Sequence, residues 1–535
     1  MNQQVNELCN PHNSPFFSIL KNRILNKNIE KGWEGLIDRI IDATTEVENK
    51  WNLPDKNDFL NKLRSVLSNS EFLPNSPLMV NISEPKRRLF ACFALDARKP
   101  MTDFLITARN IHDGMGGVGY SLDHYKEPAD ISEFIKEFDS DTVANQEGRP
   151  RPASNAVTIS IDNPGVEAIF EQAGNTKVTN LNVGITEEFM SRLILGEKEA
   201  QNTFKRLANS IHKTGQPAIV FTDRIPQISL EEQAPFAANV CGESPLAADE
   251  SALLGSLNLV KFIKPSEQGG SFTFDEGKFK EVVSIAVRFL DDMHEIHDHA
   301  SPELKTNTLA TRKIGVGIMG FAHMIALLGI RYGSQESILL AENIGKLIME
   351  SAKEESEKLS MLHDCFPAFN EGLGIKKRRN ALLSAIAQTS TLSLLVNTSS
   401  GIEPIYSHYT KQNILGHSIN VLDPIIEYYV KQAGLDVVEV TEKLQSGILL
   451  ETILGPKLAG ILPCALNIPG DEQIEVQAAF QRYIDGGISK TLNCPNDTPI
   501  DQIEKWILKA YESNVLGLMI YRDGSIIEQP LEGVK

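Results

Sequence analysis

Cysteine is scarce and scattered: six in 535 residues, at Cys9, Cys92, Cys241, Cys365, Cys464 and Cys494, with no Cys-x-x-Cys and no close pair. That spacing excludes a disulfide scaffold and a zinc ribbon, and it fits a reduced, cytoplasmic setting. Basic charge is short as well. A formal net charge of -18 leaves no concentrated cationic surface to capture DNA, RNA or an anionic membrane, so an anionic substrate has to be held locally. No run approaches the ~20 apolar residues of a membrane span, and the opening MNQQVNELCNPHNS has neither the basic nor the apolar segment of a secretory leader. Linkers, low-complexity blocks and internal repeats are also missing, so one large domain is expected.

What the chain does have is a 41% hydrophobic composition, enough to bury a large core. The soft prior of ~150 residues per domain yields readily to a single large α/β barrel. Residues 16–72 pattern as helix, most clearly in WEGLIDRIIDATTEVENKW at Trp33–Trp51, which defines a small helical N-terminal region over residues 1–74. From residue 75 onward, helix-like segments alternate with short apolar runs: LFACFALD (89–96), NAVTISID (155–162), NLNVGI (180–185), PAIVFTD (217–223), IGVGIMGF (314–321), TLSLLVN (391–397) and LGLMIYRD (516–523). Near-continuous apolar runs predict strands buried on both faces, the mark of a parallel α/β core.

Two stretches match Gly-x-Gly-x-x-Gly, beginning at Gly114 and Gly315. Neither sits in the strand-turn-helix setting that cradles a pyrophosphate. The first follows FLITARNIHD, a helical pattern, and the second lies inside an apolar run, where glycine permits close backbone packing. HEIHDH, His294–His299, places His294 and His297 on one helix face, yet no ligand-rich partner segment accompanies it. The better account is a long helix whose polar end favours histidine beside the dipole, and no metal is assigned.

ANVCGESPLAADESALLGSLNL, residues 238–259, is different. Asn239, Cys241 and Glu243 alternate around small residues, and on an extended loop such side chains converge on one volume. A sulfur with an amide and a carboxylate beside it is a reaction centre.

NVCGESPL with LGSLNL resembles the finger loop of ribonucleotide reductase catalytic subunits. Further segments match in the family's order: PNSPLM (74–79), CFALD (92–96), GGVGYSLD (116–123), RPASNAVTISIDNP (151–164), NLNVGITEEFM (180–190), TRKIGVGIMGFA (311–322), NTSSGIEPIY (397–406), QAAFQRYIDGGISKTLNCPND (477–497) and IYRDGS (520–525). The last two are most similar to the adenosylcobalamin-dependent members. The resemblance implies a ten-stranded α/β barrel of two five-stranded halves, with Cys241 at the tip of a central finger loop. Cys241 would become a thiyl radical and take the 3′-hydrogen of a ribonucleotide. Glu243 would deprotonate the 3′-hydroxyl as the 2′-hydroxyl leaves, and Asn239 would hydrogen-bond the substrate. Asn75 and Ser76 fall in a substrate-binding segment. Gln388, Thr389, Ser390 and Thr391 stand where the family holds substrate phosphate in a hydroxyl-rich turn. A second copy of the chain is an expected partner, and a separate radical-generating subunit only if cobalamin is not the initiator.

The departures point to unusual electron flow. Cys92 matches one cysteine of the family's reducing dithiol, but its partner position is Ala252, and no cysteine follows Cys494 to form the usual C-terminal relay pair. Cys494 itself stands where the family is usually aliphatic; a buried structural thiol is the expected role, with functional pairing to Cys92 the alternative. YRDGS around Gly524 is not a glycyl-radical motif. EPADISEFIKEFD follows GGVGYSLDHYK almost at once where the family has an effector loop, and an ATP cone has no counterpart, so nucleotide control is expected to be reduced. NSPLM and Asn163-Pro-Gly-Val166 depart from the usual NSPTL and HPDI. The expected activity is reduction of ribonucleotides with adenosylcobalamin and an atypical external reductant. The alternatives are a same-fold radical enzyme that modifies a nucleotide or related sugar without dithiol reduction, and a catalytically silent homologue, against which retention of the Asn239, Cys241 and Glu243 trio argues.

Overall fold

The computed structural model describes residues 14, 15, 17, 32–149, 151–225, 236–239, 242–266, 271–414, 417–525 and 531–533. Its strands, in chain order, are β1 (Phe72–Pro74), β2 (Cys92–Leu95), β3 (Gly117–Ser121), β4 (Asn155–Ser160), β5 (Thr179–Ile185), β6 (Ala218–Phe221), β7 (Phe236–Ala238), β8 (Pro245–Ala247), β9 (Glu250–Asn258), β10 (Ile263–Pro265), β11 (Phe272–Phe274), β12 (Ile314–Met319), β13 (Tyr409–Ile414), β14 (His417–Leu422), β15 (Thr491–Cys494), β16 (Gly517–Arg522) and β17 (Leu531–Gly533).

Strands β2 to β6 run parallel in sequence order, each joined to the next by a helix-bearing crossover, as parallel pairing requires. A second parallel set follows β9: β12 pairs with β9, Val316 bridges Ser384, Ile386 bridges Ile488, and β15 pairs with β16. The two sets meet antiparallel at β2–β9 and β6–β16. The ring therefore closes as ten staves in two antiparallel halves, as the resemblance implies. One stave, residues 384–386, is held by single bridges, while β1 is an extra strand paired to the far end of β9.

Alternation along the staves sorts the side chains. Cys92 and Ala94 of β2, Ala252 and Leu254 of β9, Ala385 and Leu246 of β8 form a small cluster of their own, whereas Phe93, Leu95, Leu253 and Leu257 belong to the large core under the helices. Small residues on the inner face leave room for the β7–β8 hairpin, which lies against β2, β3 and β4. The glycines of IGVGIMGF lie within β12, where a Cβ on Gly317 would sit 2.3 Å from the Ala385 carbonyl oxygen. Gly114 and Gly116 fall between the helix Met101–Asp113 and β3, the reverse of a dinucleotide-binding order.

Two expectations are corrected. TLSLLVN is not a strand: Ser390–Leu395 is a helix that buries Leu392 and Leu395 at helical spacing, with Ser393 N–H donating to Thr389 O at 2.7 Å. An apolar run this short suits either element, and tertiary packing decides. His294 and His297 are not dipole-stabilised cations. The helix Glu276–Asp292 ends before them, and both are buried against Phe90, His297 stacked with ring centroids 3.9 Å apart. Burial holds their pKa values well below the usual imidazole range, so they are neutral.

Helices Trp33–Trp51 and Lys56–Ser68 bear out the helical pattern after residue 32, while residues 1–13, 16 and 18–31 lie outside the described residues. They are pinned to the barrel by buried Arg288, which donates to Glu48 at 2.8 and 2.8 Å and to Asp55 at 2.8 and 3.1 Å. Burial and the neighbouring charges of Glu48 and Asp291 push the Asp292 carboxyl well above its usual range. No helix among the described residues is long and apolar enough to cross a membrane. Arg288→Met would leave buried Glu48 without its cation and is expected to cost about 3–5 kcal/mol at neutral pH. The Arg288 hydrogen bond holds the Asp55 carboxyl below its usual range, so urea unfolding should show the cost shrinking as pH falls through that range and Asp55 takes up its proton. A pH-independent cost would refute the electrostatic account.

Candidate active site

The β7–β8 hairpin carries the finger. Phe236 pairs with Ala247 and Ala238 with Pro245, and the described ends of the connection, Asn239 and Gly242–Ser244, bond to each other where alternation predicts an extended loop. Gly242 N–H donates to Asn239 O at 3.0 Å with Gly242 at φ +76°, a left-handed conformation that glycine adopts without strain. Ser244 N–H donates to Asn239 Oδ1 at 3.0 Å and closes the turn. Asn239 and Glu243 therefore meet across the turn, not by strand alternation.

Their meeting point is Cys92. Asn239 Nδ2 donates to Cys92 Sγ at 3.0 Å, and the Cys92 thiol reaches Glu243 Oε1 at 3.7 Å. All three are buried, and Glu243 Oε2 has no hydrogen-bond partner among the described residues. Burial pushes the Glu243 carboxyl above its usual range, opposed by the Asn239 and Cys92 hydrogen bonds and by the charge of Arg151. A carboxyl so placed can take or give a proton at a dry centre. Cys241 lies outside the described residues, between two that are placed, Asn239 and Gly242.

Cys92 is paired directly with Ala252 across the antiparallel β2–β9 seam. The position opposite the thiol is thus a methyl group. Cys494 belongs to the outer core, not to the inner cluster of Cys92, and burial raises its pKa. That placement suits a structural thiol.

The remaining predicted residues flank this centre. Asn75 N–H donates to Leu254 O at 3.0 Å, so Asn75 continues β1 alongside β9, and Ser76 after it is buried. Asn75 Oδ1 caps the helix Ser76–Asn81 by accepting from Leu78 N–H at 3.0 Å, and its Nδ2 is buried without a partner among the described residues. Gln388, Thr389, Ser390 and Thr391 follow the stave 384–386. Thr389 is buried and its hydroxyl accepts from Gly401 N–H at 2.9 Å, while Gln388 and Ser390 are exposed. No hydrogen bond given for the described residues joins these four to Cys92.

Motif reasoning missed Gly487. Its N–H donates to Glu243 O at 2.7 Å, and a Cβ there would lie 2.4 Å from Gly242 O. The available signal was the Gly-Gly pair in YIDGGISK, a close-approach sequence within an otherwise side-chain-rich segment.

Comparison with known proteins places the chain in a family. The family model for the ribonucleotide reductase barrel domain matches residues 194–378 and 374–521. The chain belongs to the ribonucleotide reductase family of enzymes. It is 29% identical over 531 residues to a vitamin B12-dependent ribonucleoside-diphosphate reductase of Mycobacterium tuberculosis (strain CDC 1551 / Oshkosh), covering 92% of this chain and 76% of that one. A protein of the same name from Thermoplasma acidophilum is 29% identical over 516 residues, covering 88% and 66%. Among solved structures, the Actinobacillus ureae class Id ribonucleotide reductase alpha subunit superposes with a TM-score of 0.78 at 19% identity, covering 95% of this chain and 96% of that one, and shows the shared fold.

Two outcomes check the reductase site. Directly opposed residues of an antiparallel pair have Cα atoms about 4.5–5.5 Å apart, inside the range a disulfide needs. Ala252→Cys is therefore expected to bond to Cys92 under mild oxidation, and thiol titration of the oxidised, folded variant that finds both thiols free would refute the register. For Glu243, the folded state binds more protons than the unfolded one between the ordinary carboxyl pKa and its raised value, so ionisation destabilises the fold as pH rises through that window. Glu243→Gln should consequently melt higher than the unaltered protein at neutral pH while losing turnover. A lower melting temperature would contradict the buried, unsatisfied carboxyl.

Proposed function

We propose that this protein reduces ribonucleotides to 2′-deoxyribonucleotides in the cytoplasm by thiyl-radical chemistry, with adenosylcobalamin as initiator and an electron donor other than an internal dithiol. The observation that carries the proposal is the convergence of Asn239 and Glu243 on Cys92 inside the barrel, with Ala252 opposite. Cys241, at the turn between Asn239 and Glu243, takes the 3′-hydrogen. Glu243 accepts the 3′-hydroxyl proton, for which its raised pKa suits it, and Asn239 holds the substrate hydroxyls. Asn75, Ser76 and the turn Gln388-Thr389-Ser390-Thr391 hold the rest of the nucleotide, with hydroxyls and backbone N–H groups in place of net positive charge.

Adenosylcobalamin would, when bound, supply a radical to the finger. Space beside the turn is compatible with this: nothing among the described residues lies within 4 Å of a Cβ built on Gly242, and Asn239 and Glu243 contact Cys92. Small apolar residues around Cys92 keep water out of the centre where a radical has to survive. Reduction takes two electrons per turnover. Cys92 can relay a hydrogen atom but, with Ala252 opposite, cannot store the electrons as a disulfide, so a two-electron donor from outside, such as formate oxidised to carbon dioxide, supplies both and leaves the Cys92 thiol restored. The two cobalamin-dependent relatives support the choice of initiator. A second copy of the chain is the partner proposed.

Ala252 also favours a second reading, in which the same radical centre modifies a nucleotide or related sugar without net dithiol reduction. Anaerobic incubation with adenosylcobalamin and each ribonucleotide, with either dithiol or formate, separates the two. Deoxynucleotide together with a cofactor-dependent paramagnetic signal is expected. A signal without deoxynucleotide selects the second reading, and no signal removes cobalamin. Cys241→Ala should lower turnover by at least about 10⁴-fold, as loss of a covalently acting nucleophile or radical does. Residual turnover near the unaltered level would remove Cys241 from the mechanism.

A further inference from the structure

Among the described residues the strands β7 and β8 pair with each other and with no barrel stave, and the turn between them takes one backbone bond from the barrel, Gly487 N–H to Glu243 O at 2.7 Å. Side chains hold the second finger strand. Ala247 N–H donates to Glu250 Oε2 at 2.8 Å, and Lys313 Nζ donates to the same oxygen at 2.7 Å and to Pro245 O at 3.3 Å. Thr311 Oγ1 donates to the other oxygen, Glu250 Oε1. Glu250 opens β9 on the inward face shared with Ala252, and Lys313 immediately precedes β12. Carboxylate, ammonium and hydroxyl are all buried. One ion pair thus spans two adjacent staves and grips the second finger strand by an N–H and a carbonyl, the nearer of them two residues from Glu243.

Stability does not account for the pair. Two charges removed from water gain little over well-packed apolar residues of the same volume, and the best-attested use of such a pair is to fix a register. We propose that Glu250 and Lys313 are positioning residues, which hold the finger hairpin at the depth where Asn239 and Glu243 meet Cys92. The consequence for turnover rests on the reductase function proposed above; the consequence for the geometry does not.

Glu250→Gln/Lys313→Met removes both charges at nearly constant volume and strands neither partner. The folded variant, identified by an unchanged circular dichroism spectrum and a melting temperature near that of the unaltered protein, should show Cys92 alkylated at least about tenfold faster, mapped by mass spectrometry, because a slack hairpin uncovers the thiol. Its kcat should fall at least about tenfold with KM within about twofold. The limb of the pH-rate profile that reports Glu243 should move toward lower pH, since water reaching the carboxyl relieves its desolvation. A merely structural pair would lower the melting temperature and leave the alkylation rate of the folded protein and the pH limb in place. Alkylation within about twofold of the unaltered protein overturns the proposal whatever the turnover. Thr311→Val deletes one bond to Glu250 and no charge, and applies the same alkylation test at smaller amplitude should the double variant fail to fold. If the unaltered protein makes no deoxynucleotide, the functional reading fails and the alkylation result still decides the positioning.

Discussion

Everything at the centre of this molecule depends on the antiparallel seam between β2 and β9. Parallel halves alone would each leave an open edge. The seam joins them on one side, its counterpart at β6–β16 closes the ring, and β9 then carries the chain directly onward from the finger hairpin. The seam also sets Cys92 opposite Ala252 and turns both toward the interior, where Leu246 of the hairpin packs on them. A slip of one residue would reverse every side chain of the strand and send the thiol into the outer core.

The interior so formed buries its side chains, and burial gives the polar groups their chemistry. In water Glu243 would be an ordinary carboxylate. Here its charged form lacks solvation and has one oxygen unpaired among the described residues, so its proton affinity rises toward the range where it can exchange a proton during turnover. The same enclosure makes a loosely held finger intolerable, because half an ångström of drift would exchange the Cys92 contacts for voids. The hairpin is accordingly held at both shoulders: Gly487 N–H on Glu243 O, and the Glu250–Lys313 pair on Pro245 and Ala247.

Ala252 bears on electron flow as well as on packing. A reducing dithiol across this seam would need a second sulfur at that position. The residue found there is alanine, so the side chain opposite Cys92 is a methyl group, and the Cys92 sulfur lies beside an amide and a carboxyl.

Much of this was legible in the linear chain. The alternation of helical segments with near-continuous apolar runs marks a parallel α/β core, because strands covered on both faces cannot alternate with polar residues. Chemical type singles out Asn239, Cys241 and Glu243 as a candidate centre, of which the described residues bring Asn239 and Glu243 together on Cys92, and Ala252 stands where the motif has a second thiol. Composition and motif could not decide what depends on partners far along the chain. TLSLLVN became a helix because its leucines found a core at helical spacing, and His294 and His297 became neutral packing groups because Phe90, two hundred residues earlier, came to lie against them. The alternation that seemed to unite the trio gave way to a turn closed by Gly242. Glu250 and Lys313 read alone as charges flanking buried strands, and only the barrel brings them together. The sequence by itself determined which chemical groups are present and which strand periods bury them. The tertiary structure alone decided which of them share a volume, because burial, and with it every shifted pKa and every paired charge, belongs to the closed barrel and not to any segment of the chain.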